Sequence, residues 1–216
     1  MNASPLNRFL FRPTSGFTLL EILVVIGIAA IILSLTIPGI NSIGSSTKLS
    51  NAASLVTDHL NGARAQSLAQ NRHIEVRMYE LSGLTGGGVY FRALQSFILD
   101  DLGTNPPEAL TKIDHLPEPI VFSSNSTFSS LTDTSTTIES GTVNVNRYGL
   151  LDYCAFRFKP DGSTDLNPEG PAPGSGSSAW TITLIEEKHT ANSALPPNYA
   201  TIFIIPENGK IRIVRP

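Results

Sequence analysis

The chain has 216 residues, enough for one membrane-length segment plus one globular domain. Hydrophobic residues make up 41% and charged residues 15%, and the net charge of −3 argues against a nucleic-acid-binding protein, which would show a basic stripe. A single cysteine, Cys154, excludes a disulfide framework within the chain, and the four histidines are scattered without zinc-ligand spacing.

The first sixteen residues are short and polar overall, with Arg8 and Arg12 as their only charges. The junction Gly16-Phe17-Thr18-Leu19-Leu20-Glu21 follows. From Phe17 to Thr47 the only charged side chain is Glu21, and the run 22–37 is almost entirely Ile, Leu, Val, Ala and Gly. That stretch reaches the roughly 20 apolar residues that a bilayer-spanning helix needs. The arginines precede it, so its N-terminal end is expected on the cytoplasmic side. An ordinary secretory signal places its cleavage site after the apolar run. Here the candidate site, Gly16–Phe17, lies before it, so cleavage removes the polar leader and keeps the helix. Glu21 is costly in such a segment. A new amino terminus on Phe17, one helical turn away, offsets that cost, as does the helix dipole. Pro38 ends or kinks the run, because proline lacks a backbone donor.

Residues 39–70 continue as helix. Leu49, Ala52, Ala53, Leu55, Val56, Leu60, Ala63 and Leu68 recur near helical spacing, with Ser50, Asn51, Asp58 and Asn61 opposite. The expected picture is one long helix, apolar all round in its first half and amphipathic in its second.

Strands are expected after residue 71. Residues 73–79 alternate polar and apolar, as a half-buried strand does. Gly86-Gly87-Gly88 reads as a turn, since no lysine follows in phosphate-loop spacing. Residues 89–94 form a second strand. The stretch 100–119 is proline-rich and expected to be irregular, and 120–122 is a short strand. The Ser/Thr-rich tract 123–137 reads as a mobile loop. Residues 153–158 are a strand ending in Lys159-Pro160-Asp161-Gly162, a turn in which glycine takes positive φ. Loop 167–178 leads to strand 180–184. Residues 200–205 and 210–214 form a terminal hairpin around Pro206-Glu207-Asn208-Gly209. The fold class is therefore α+β: a long N-terminal helix, membrane half plus amphipathic half, packed on a small mainly antiparallel β-sheet domain. The boundaries are 1–16, 17–38, 39–70 and 71–216.

Gly16-Phe17-Thr18-Leu19-Leu20-Glu21 resembles the leader junction of type IV pilins and type II secretion pseudopilins. The resemblance implies that a prepilin peptidase cuts between Gly16 and Phe17 and methylates the amine of Phe17. It implies that Glu21, at the fifth mature position, sets register during assembly, and that Pro38 is the proline of the twenty-second. The stretch Ala63-Arg64-Ala65 to Arg72, with Phe158-Lys159-Pro160-Asp161-Gly162, Trp180 to Leu184 and Gly209-Lys210-Ile211-Arg212-Ile213, is similar to H-type minor pseudopilins and FimT-like minor pilins. Tract 123–137 and loop 167–178 depart from that group, and the chain lacks the cysteine pair of many major pilins. The implied partners are prepilin peptidase, other pilin or pseudopilin subunits and the inner membrane. The implied location is a single pass with the C-terminal domain in the periplasm, then a filament.

No catalytic motif, cofactor loop or metal-ligand pattern is present. Asp161, Asp165 and Asn167 are oxygen donors in a loop, the chemistry calcium takes, but their spacing is not that of an EF-hand. Asp100-Asp101 reads as a solvated turn, and Cys154 as a buried small apolar residue. A rival reading is a filament-displayed or membrane-anchored binding module for DNA, a surface or a secreted substrate. Losing Arg8 and Arg12 with the leader takes the charge from −3 to −5, which disfavours nonspecific DNA capture. The groups Arg64/Arg72/Arg77 and Lys210/Arg212/Arg215 are the basic patches left for that role.

Overall fold

The structure is a computed structural model. It describes residues 17–83, 88–100, 105–133, 138–171 and 180–216, with the backbone alone at 33–43. The chain divides into two compact units, Met1–Ser42 and Ile43–Pro216.

One helix, α1 (Leu19–Gln70), supplies the described part of the first unit and opens the second. It starts where Thr18 caps it: the Glu21 backbone N–H donates to Thr18 Oγ1 at 3.2 Å, and the Ile22 N–H closes the first turn on Thr18 O. It runs on through Pro38. It stops at Asn71, which turns left-handed (φ 51°), while the Arg72 N–H returns to Ser67 O at 3.3 Å. That pairing is a Schellman closure, and asparagine is one of the few residues besides glycine that tolerates its αL position.

In the second unit α1 buries Leu49, Ala52, Ala53, Val56, Leu60 and Ala63. The stripe expected from sequence spacing is thus the one that packs, except that Leu55 is partly buried and Leu68 stays 47% exposed. Among the described residues ten strands follow: β1 (Ile74–Ser82), β2 (Val89–Ile98), β3 (Glu108–Ala109), β4 (Asp114–His115), β5 (Ile120–Phe122), β6 (Glu139–Val145), β7 (Gly149–Phe158), β8 (Trp180–Glu186), β9 (Ala200–Ile205) and β10 (Lys210–Val214). They form two antiparallel sheets, in keeping with the mainly antiparallel domain expected. The first has the order β3-β2-β1-β7-β6 with β4 also on β2, and the second has the order β10-β9-β8-β5. Ile74, Val76 and Met78 of the first sheet meet Trp180, Ile182, Leu184, Ile202 and Ile204 of the second in one core with the α1 stripe.

Several expectations need correction. Strand β1 is not half-buried: its polar face is covered too, with Glu75 at 1% and Arg77 at 9% exposure. Ion pairing makes this tolerable. Glu75 accepts from Arg77 (2.6 Å) and Arg157 (3.0 Å), and the Arg77 guanidinium lies between the rings of Phe97 and Tyr153, 4.4 and 4.6 Å from their centroids. The stretch 100–119 is not wholly irregular, since β3 and β4 pair with β2. The Ser/Thr-rich tract is no mobile loop over its described part. Ser129, Ser130, Leu131 and Thr132 are buried, the last three in a 3-10 turn. Hydroxyls dock it: Thr132 Oγ1 donates to Ser129 Oγ, and Ser130 Oγ and Thr181 Oγ1 lie 3.3 Å apart. Buried hydroxyls with partners carry little penalty. Gly86, Gly87 and residues 134–137 and 172–179 lie outside the described residues.

The terminal hairpin forms as expected, with Gly209 at φ 62° and Ile211 paired to Ile204. Its turn abuts the Lys159–Gly162 turn, where Gly162 has φ 80°. Arg64 Nε of α1 donates to Gly162 O (3.2 Å) and Asn208 O (3.0 Å), joining both turns to the helix. At the far end of β10, Arg215 donates to Ser50 Oγ at 2.7 Å. The C-terminal strand is thereby tied to α1 at two points.

Candidate functional site

The sequence points to the start of α1, and the local geometry there follows from two residue types at a spacing of three. Thr18 is the N-cap and Glu21 the third helical residue, a Ser/Thr-x-x-Glu pattern. The first four N–H groups of a helix have no intrahelical acceptor. Thr18 Oγ1 satisfies one of them and fixes the helix start at Leu19. Glu21 is the acidic residue of the first turn, where the positive end of the helix dipole favours it. The capping pair was visible in the sequence as Thr18-Leu19-Leu20-Glu21 and went unread there, because the acid was weighed against the membrane, the Phe17 amine and the helix dipole and not beside Thr18.

Around this cap lies an apolar surface. Phe17, Leu19, Leu20, Leu23, Val25, Ile26 and Ile31 are each 59–85% exposed. Such a surface on one chain requires a cover, whether lipid or protein. Among the described residues no helix carries a window long and apolar enough to cross a membrane. The side chains described at this end are those of 17–32, short of the roughly 20 that a span needs. The membrane expectation therefore rests on the sequence, in which apolar residues continue to Ile37. Gly16 lies outside the described residues, as does the side chain of Pro38.

The other candidates are drawn into structural roles. Asp161 Oδ1 accepts from the backbone and hydroxyl of Ser163, Asp165 Oδ1 from the Arg157 N–H, and Asn167 Oδ1 from the Glu169 N–H. No cluster of three His, Cys, Asp or Glu side chains that could hold a metal occurs among the described residues. Asp100 Oδ2 accepts from Asn105 in a turn, and Asp101 lies outside the described residues. Cys154 is fully buried, and burial pushes its thiol up to about 11. Arg64, Arg72 and Arg77 form no basic patch: Arg64 holds two turns, Arg72 donates to Leu99 O, and Arg77 is buried against Glu75. On β10, Lys210 and Arg212 remain exposed.

The family model for the prokaryotic N-terminal methylation motif matches residues 12–37, a segment that contains Gly16, Phe17 and Glu21. The chain carries this methylation motif ahead of its apolar run. No curated protein matches the chain. Among solved structures, the minor pseudopilin EpsH from the Type 2 Secretion System of Vibrio cholerae is similar at 10% identity and a TM-score of 0.42, over 78% of this chain and 98% of that one. The α+β class, one N-terminal helix followed by a domain of two antiparallel sheets, stands on the strand pairing itself.

Proposed function

We propose that this chain is a prepilin, cut between Gly16 and Phe17 by a prepilin peptidase, methylated on the Phe17 amine and assembled as a minor subunit of a type IV pilus or type II secretion pseudopilus. The register of the motif carries the reading. Gly16, Phe17 and Glu21 sit within the matched segment 12–37, ahead of an apolar stretch that keeps one acid. Before assembly the exposed apolar helix rests in the inner membrane with the C-terminal domain in the periplasm. In the filament, neighbouring helices cover it. Glu21 then pairs with the Phe17 amine of an adjacent subunit, a charge pair worth most where water is excluded. A bend at Pro38 lets the two helical parts adjust during assembly. The single cysteine supports a minor role, since this chain has no disulfide to fix a C-terminal loop.

The test is a pair of variants, Glu21→Ala and Glu21→Gln, expressed with the other subunits of the host machine. Both variants are expected in the membrane fraction at normal level but absent from sheared filaments. Incorporation equal to the parent chain contradicts the assembly role of Glu21. Stoichiometry in the same filaments decides the minor role: a dominant band for this chain overturns it.

A further inference from the structure

The turn that joins β6 to β7 holds a conformational outlier. The Tyr148 N–H donates to Val145 O at 3.0 Å, and Arg147, third of the four residues, has φ 82°. Turns with positive φ at that position give it to glycine or asparagine, because a β-carbon there is strained. Here it carries an arginine. Strain kept at one residue points to a use for its side chain. That use is not to hold the turn: among the described residues the exposed Arg147 guanidinium has no hydrogen-bond or ionic partner.

Arg147 lines a hollow of about 420 Å³. Leu81, Leu116 and Leu151 line it too, all three buried, and give it an apolar wall. Arg92 of β2 lies in the same wall at 5% exposure. Its Nη2 donates to Gly88 O and to Glu187, which offsets its charge, whereas Nε and Nη1 have no hydrogen-bond acceptor. Glu118 stands 3.7 Å from Nη1, beyond hydrogen-bond reach. The exposed His115 and Tyr148 meet at 2.9 Å through Nε2 and the phenolic oxygen, which fixes the Tyr148 ring. A hollow of this size, with apolar walls and a few polar groups, has the ordinary form of a small-ligand site.

We propose that this hollow binds a small monocarboxylate with an apolar body, such as an N-acylated leucine. The carboxylate pairs with the Arg147 guanidinium, whose planar fork matches two oxygens at once. The apolar body covers Leu81, Leu116 and Leu151. Glu118 in the wall decides the charge class: one negative charge is offset by Arg147, whereas a dianion such as phosphate is repelled by the carboxylate. The three leucines decide the rest, because only a ligand with apolar surface gains from covering them. The site is complete within one chain, so it does not depend on processing or filament assembly.

The test is calorimetric titration of the full chain in detergent micelles with four probes: sodium N-acetyl-L-leucinate, its uncharged amide, sodium acetate and inorganic phosphate. The leucinate should bind saturably. The amide and acetate should bind at least about tenfold more weakly, the scale of one lost charge-assisted hydrogen bond or of one lost leucine-sized body. Arg147→Gln should weaken the leucinate by a similar factor. Arg147→Gly should weaken it as much while melting no lower than the parent, because glycine takes φ 82° without strain. Absence of saturable leucinate binding overturns the proposal, as does equal binding of leucinate and amide. Unchanged leucinate affinity in both variants also overturns it, and a lower melting temperature in that case assigns Arg147 to the turn. Phosphate bound more tightly than the leucinate would contradict the role given to Glu118 and to the apolar wall.

Discussion

His59 of α1 and Asp114 of β4 meet at 2.8 Å, with the imidazole side chain only 3% exposed and the carboxylate 46% exposed. The other ring nitrogen of His59 lies 2.8 Å from Ser96 Oγ of β2, so a single side chain pins the helix to two strands. Burial pulls the histidine below its ordinary value of 6.5, and the opposing pull of Asp114 does not make up the difference. The folded state therefore prefers a neutral imidazole. Above pH 6.5 the group is neutral folded or unfolded and leaves stability unchanged. As pH falls below that value the unfolded chain takes up the proton first, and stability declines until the folded value is passed. Thermal unfolding of the detergent-solubilised chain from pH 8 to 5 should show that decline, and His59→Gln should flatten it. An unchanged slope in the variant removes His59 as its source.

Glu75 is a buried anion between two arginines, and removing it takes away the carboxylate that Arg77 pairs with, while Arg157 keeps Glu139. Glu75→Ala should cost about 3–5 kcal/mol, because it strands Arg77 in the low-dielectric space between Phe97 and Tyr153. Glu139→Ala, which removes only the outer partner of Arg157, should cost under about 1 kcal/mol, since that pair is largely solvated. Chemical denaturation of both variants checks the order.

Two turns and a helix meet at Arg64. Arg64→Ala gives up donations to Gly162 O and Asn208 O and should cost about 1.5–3 kcal/mol, the range for hydrogen bonds from a charged group. Gly209→Ala should be worse. Its φ of 62° strains a side-chain-bearing residue, and the added methyl would collide with Gly162 O. A Gly209→Ala chain as stable as its parent would mean the two turns are not in contact.

Cys154 should resist thiol reagents. Its thiol lies at about 11 and is fully buried on the inner side of β7. At pH 8 in native conditions, labelling should proceed only as fast as the chain opens, and denaturant should accelerate it by orders of magnitude. Prompt labelling of the folded chain would contradict the placement of β7.

What the sequence disclosed depended on whether a pattern was local. The α1 stripe from Leu49 to Ala63, the Pro160–Gly162 turn and the terminal hairpin each carry their signal within a few residues, and each forms as read. Strand β6 was missed because Gly141 and Asn144 are poor strand formers; pairing of all of β6 with Gly149 to Ala155 of β7 overrides them. The buried side of β1 was misjudged because Glu75 and Arg77 look solvent-facing until Arg157, 82 positions away from Glu75, comes into place. Tract 123–137 looked mobile for a similar reason, since Ser130 meets its partner Thr181 only when β8, 51 positions away, comes into place. At the N terminus the methylation motif was legible because its residues are contiguous, within 12–37.

The most direct test of the central claim is the intact mass and N-terminal sequence of the chain recovered from its native membrane. The account predicts a chain that begins at N-methylated Phe17. A chain beginning at Met1, in cells whose prepilin peptidase is active on its other substrates, would contradict it.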